Sequence, residues 1–193
     1  MRPSQVEGRP PCTAVARVAT VLAVALTALS LSCGSGSGDG GADSRFQKVS
    51  QTGVIYTTDD LFALGFKQVK AYSVEGLPGA SAAIFGFWRP PDNDPLDYEV
   101  RFYASHDEAV RLGTDLAEEG TGEDAIIDAG EARYKEGVKD RRIHTDYAGG
   151  IVPKYRNYAI VDNVVMLCQG RSASQSLERC SYLAGALAEA VGS

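Results

Sequence analysis

Histidine is almost missing from this sequence, with two in 193 residues, and tryptophan occurs once. So little imidazole leaves scant material for a His-rich metal centre or a His-based proton relay. Positive charge is the minority sign: 19 Lys and Arg stand against 25 Asp and Glu, a net of −6. That balance argues against tracking a phosphate backbone, so nucleic acid is not an expected partner. There is no P-loop, no dinucleotide fingerprint, no H-E-x-x-H and no internal repeat. Nor is there an apolar run of the ~20 residues that a membrane span requires. Hydrophobic residues still make up 44% of the chain, which is ordinary for a folded protein.

The longest uncharged apolar stretch is Val18 to Leu31, VATVLAVALTALSL. Arg2, Arg9 and Arg17 precede it, opposed only by Glu7. A positive n-region followed by a short apolar h-region is the layout of a secretory signal. The segment ends in Leu29, Ser30, Leu31, Ser32 and Cys33. These residues resemble the lipobox of bacterial lipoproteins, in which a small residue precedes an acylated Cys; Ser30 stands where Leu is commonest. The resemblance covers residues 1–35. It implies cleavage before Cys33, a diacylglycerol thioether on Cys33, and a membrane partner reached through that lipid. Each buried CH₂ of such chains contributes ~0.8 kcal/mol, so two or three chains anchor stably. It places the protein on the cell membrane, on the extracytoplasmic side. Plain secretion, or an uncleaved short anchor, are the competing readings.

Residues 33–45 follow as a tether; GSGSGDGGADS, from Gly34 to Ser44, has nothing to bury. Residues 1–32 carry three Arg and one Glu, so the mature chain keeps 16 basic and 24 acidic residues, a net of −8. An acidic domain is repelled from lying flat on an anionic membrane. Cys12 is lost with the signal and Cys33 is the acylation candidate, which leaves Cys168 and Cys180. In an oxidising compartment this even pair is expected to form a disulfide. Two free thiols, or a metal site short of two ligands, are the alternatives.

Residues 46–193 are expected to form one α+β domain, an antiparallel sheet with helices packed on one face. Thr57 to Asp60 suits the cap of a short helix that Gly65 ends. Strands are expected over Val69 to Val74 and, buried, over Ser81 to Trp88. Tyr98 to Tyr103 alternates with period two and reads as half-buried. Ser105 and Glu108 form a capping-box pattern ahead of a helix striped by Ala109, Leu112, Leu116 and Ala117. The segment from Glu123 to Gly137 is ambiguous, with a possible helix around Glu131. Tyr155 to Val161 and Val164 to Cys168 flank Asp162-Asn163, a tight hairpin turn. Ser174 to Val191 closes the chain as a helix, and a Cys168–Cys180 bond would pin it to the sheet.

Candidate chemistry is sparse. Gly79-Ala80-Ser81-Ala82-Ala83 departs from G-x-S-x-G at its last position, so a hydrolytic triad of Ser81 with His106 or His144 is disfavoured. Asp92, Asp94, Asp97 and Glu99 gather oxygen ligands, but Pro95 and Leu96 break the EF-hand pattern, and no metal or other cofactor is expected. The acidic run from Glu118 to Glu131 meets a basic stretch, Arg133 to Arg142, in which Glu136 and Asp140 dilute the positive charge. Trp88 and Arg89 form an aromatic–basic corner beside Pro90 and Pro91, suited to a sugar or aromatic ligand. His144 and Tyr147 are further candidate ligand-binding residues. The expectation is a lipid-anchored extracytoplasmic binding or interaction domain whose partner is an envelope protein or a small ligand. An envelope hydrolase and a structural or assembly lipoprotein are the alternatives.

Overall fold

The computed structural model describes residues 46–145 and 150–192, all within one unit, Asp43–Ser193. The expected α+β class holds. Strands β1 (Val49–Ser50), β2 (Lys67–Tyr72), β3 (Ala80–Trp88), β4 (Leu96–Tyr103), β7 (Tyr155–Val161) and β8 (Val164–Gln169) form a six-stranded sheet in the order β1-β7-β8-β4-β3-β2. Every pairing is antiparallel except β1 with β7. A separate two-stranded piece pairs β5 (Arg142–His144) with β6 (Ile151–Pro153).

Three helices complete the fold: α1 (Thr58–Ala63), α2 (His106–Glu119) and α3 (Ala173–Val191). At α1 the Thr57 side chain and Asp60 cap each other reciprocally, and Gly65, at a φ of +82°, lets the chain turn away. Ser105 and Ser172 cap α2 and α3 by accepting from Glu108 N and Gln175 N.

The helices do not share one face. Val164, Met166 and Cys168 of β8 point to a core with Leu61 of α1 and Cys180, Leu183 and Leu187 of α3. Val165 and Leu167 point the other way, to Ala109 and Ala117 of α2. Period two makes this unavoidable, because β8 is apolar on both faces and both must be covered. The expectation of helices on one face therefore holds for α1 and α3, while α2 and the chain after it cover the opposite face.

The Asp162-Asn163 turn forms the hairpin between β7 and β8, with Asp162 at a φ of +50°. It also clasps the start of the domain. Asp162 accepts from Thr52 N, Gly53 N and Thr52 Oγ1, and Asn163 bonds both backbone groups of Tyr56. Across the α3 side, the Cys168–Cys180 disulfide joins β8 to α3. Among the described residues no helix is long and apolar enough to cross a membrane.

Candidate functional site

Trp88 ends β3 with its ring largely inside, 7% exposed, and its Nε1–H donates to Leu64 O at 3.0 Å. Its first role is therefore to close the core. Its exposed edge has a second setting. The chain turns out through residues 89–95, where Asn93 N donates to Pro90 O and Asp92 takes a φ of +59°. This loop stands between two open depressions that share Trp88, Pro90, Pro91 and Asn93. One, of about 610 Å³, also takes in Leu64, Arg89 and Asp94. The other, of about 380 Å³, runs along α3 past Tyr182, Gly185 and Ala186. The small residues of α3 leave room there, and the Tyr182 hydroxyl donates to Glu178.

The remaining sequence candidates do not join this corner. His144 lies on β5, outside the six-stranded sheet, and lines neither depression. Tyr147 and Cys33 lie outside the described residues. Ser81 donates to Phe102 O, and His106 Nδ1 lies 2.9 Å from Asp162 O, so each is engaged with backbone and not with the other. Asp97 pairs with Lys154 at 2.6 Å, and Glu99 is buried against arginines, which removes both from the acidic loop. Among the described residues no group of three His, Cys, Asp or Glu is placed to hold a metal ion.

Behind β4 lies a buried ionic cluster that the sequence pattern does not announce. Strand β4 is not half-buried: Glu99 and Arg101, on its α2 side, are fully enclosed. Arg141 joins them, with Nε 2.8 Å from Glu99 Oε2 and Nη2 3.0 Å from Oε1. Arg101 Nη2 lies 2.7 Å from Glu99 Oε1. Tyr134 spreads its ring near both guanidinium groups, 5.4 Å from Arg101 and 5.1 Å from Arg141. Burial pushes the Glu99 carboxyl up, but the two arginines outweigh that and hold it below the ordinary carboxylate range. Burial also raises the nearby Tyr72, Tyr134 and Tyr155 phenols, so they stay neutral.

The segment from Glu123 to Gly137, left open between loop and helix by the sequence, is a set of turns. Glu119 accepts from Arg133 N, Arg133 Nε and Tyr134 N. Arg141 holds the next stretch through Nη1 to Tyr134 O and Nη2 to Glu136 O. The acidic and basic runs thus pair inside one molecule, at least through Glu119 and Arg133. These turns and β2 enclose a cleft of about 410 Å³ floored by Tyr72. The one sequence signal for the cluster was a pair of opposite charges two residues apart, Glu99 and Arg101, on one face of an apolar strand.

A single-domain α+β protein with a six-stranded mixed sheet and a disulfide-pinned C-terminal helix is thereby defined. The chain belongs to a family described as "Family of unknown function (DUF6810)", whose match covers residues 57–189. That span runs from the cap of α1 nearly to the end of α3. No curated protein and no solved structure matches the chain.

Proposed function

We propose that this chain is a lipid-anchored, extracytoplasmic binding domain whose ligand docks at the Trp88 corner. The observation that carries the binding half is the position of Trp88 between two open depressions, with Arg89 on one side and Tyr182 on the other. An aromatic edge, two prolines and a flanking guanidinium suit the ring of a sugar or of an aromatic compound. The anchoring half rests on the resemblance of residues 1–35 to lipoprotein signals. The Cys168–Cys180 bond supports an oxidising compartment. The reading makes the domain a tethered binder, carried by the Gly/Ser-rich residues 33–45 on acyl chains at Cys33.

Because Trp88 is the single tryptophan of the chain, its fluorescence reports on this corner without a label. Titration with envelope-type oligosaccharides and with small aromatic compounds is expected to give a saturable change in emission. Arg89→Ala and Tyr182→Ala should weaken it, since both side chains are surface groups of the two depressions. Emission that stays constant across both ligand classes contradicts binding at this corner.

A further inference from the structure

We propose that the cleft over Tyr72 is a second binding site, distinct from the Trp88 corner, and that it takes a phosphate-bearing anion. Its charge runs against that of the chain. Lys70, Lys135 and Lys139 line it, with Asp140 and Glu136 as its acids. Asp140 is already neutralised: its oxygens lie 2.7 and 2.8 Å from Lys70 Nζ, and it accepts from the Tyr72 hydroxyl at 2.7 Å. Lys135 and Lys139 are exposed and make no ion pair among the described residues. Of the two acids lining the cleft, only Glu136 opposes them. Directly behind the wall, one carboxylate, Glu99, faces two guanidinium groups, Arg101 and Arg141. That leaves one buried positive charge in excess, where solvent screens it least. A protein of net charge −6 thus keeps a positive basin at this cleft.

The basin is also built rather than floppy. The Tyr72 ring stacks on Phe85 at 6.4 Å with planes 5° apart, which fixes the floor. Gly137 presses its backbone on that ring; a Cβ there would come within 2.6 Å of it, and the residue sits at a φ of +71°. Arg141 holds the wall by its bonds to Tyr134 O and Glu136 O, and Asp140 N donates to Gly137 O. Beside the left-handed Gly137, the amides of Glu136 and Gly137 have no acceptor among the described residues. Ammonium groups beside these two amides suit the several oxygens of a phosphate. About 410 Å³ admits a small phosphorylated molecule, and the opening equally admits a lipid headgroup.

The test uses the full chain in neutral detergent. Inorganic phosphate forms one arm and glycerophosphoglycerol, the deacylated headgroup of phosphatidylglycerol, the other. Both are followed by the amide NMR shifts of residues 135–140. Saturable shifts in either arm are expected, weakening about tenfold in a Lys135→Ala/Lys139→Ala double variant and weakening again at high salt. The tighter arm names the source, a free phosphate or a headgroup. The side chains of these lysines are exposed and make no bond among the described residues, so the variant should keep its melting temperature. No saturable shift in either arm, or shifts that the double variant leaves unchanged, overturns the proposal. Trp88 emission should not respond to either ligand, which keeps this test separate from that of the Trp88 corner.

Discussion

Two guanidinium groups and one carboxylate share the space behind β4, and such a group is most informative when one partner is removed. Breaking a buried ion pair strands the remaining charge and costs about 3–5 kcal/mol, whereas the intact pair contributes little net stability. Glu99→Gln keeps the shape and removes the only negative charge that Arg101 and Arg141 contact among the described residues, so a loss of about that size is expected in urea unfolding. The same residue sets a pH dependence. Its folded pKa lies below the unfolded value of ~4.3, so its contribution is complete above that pH and is lost as pH falls further. Asp162 acts in the same direction, since burial raises its pKa but the donors Thr52 and Gly53 outweigh that and lower it. Thermal stability of the wild type is expected to fall steeply below about pH 4. In Glu99→Gln it should start lower and fall less steeply. Parallel acid limbs in the two proteins would show that Glu99 does not carry this linkage.

At the scale of elements, the disulfide and the covering of the sheet decide most. Cys168 and Cys180 close a loop of twelve positions between β8 and α3. In the chain-entropy description a link of that length is worth ~3 kcal/mol. For a domain of this size the Cys168→Ala/Cys180→Ala variant is therefore expected to melt roughly 6–12 °C lower. A calorimetric scan that finds no decrease contradicts that role. The elements themselves were largely legible in the sequence. Asp162-Asn163 between two β-branched runs announces the hairpin, and Ser105 with Ala109, Leu116 and Ala117 announces α2 and its buried stripe. What stayed hidden has a physical reason. Alternation along β4 says which residues share a face, not what covers that face. Glu99 and Arg101 read as solvated until the turns of 120–141, which have no periodicity, fold over them. Arg141, far along the chain, completes their charge balance through a contact that local pattern does not encode. Trp88 was legible as a corner, but its indole N–H bond to Leu64 O depends on the path of the chain after α1.

On the scale of the whole molecule, the two proposed surface sites differ in chemistry and lie on different parts of one acidic chain. The Trp88 corner lies beside α3, and the Tyr72 cleft lies between β2 and the turns that cover the α2 side. The Asp162-Asn163 turn clasps residues 52–56 and so ties the start of the domain to the β7–β8 hairpin. The proposed reading holds this domain at a membrane through Cys33, independently of what either surface site binds. The most direct measurement is the mass of the N-terminal peptide of mature protein extracted from the membranes of a bacterial host. The expected species begins at Cys33 and carries diacylglycerol on its sulfur, a form that Cys33→Ala abolishes. A mature chain that begins elsewhere, or an unmodified Cys33 thiol, would contradict it.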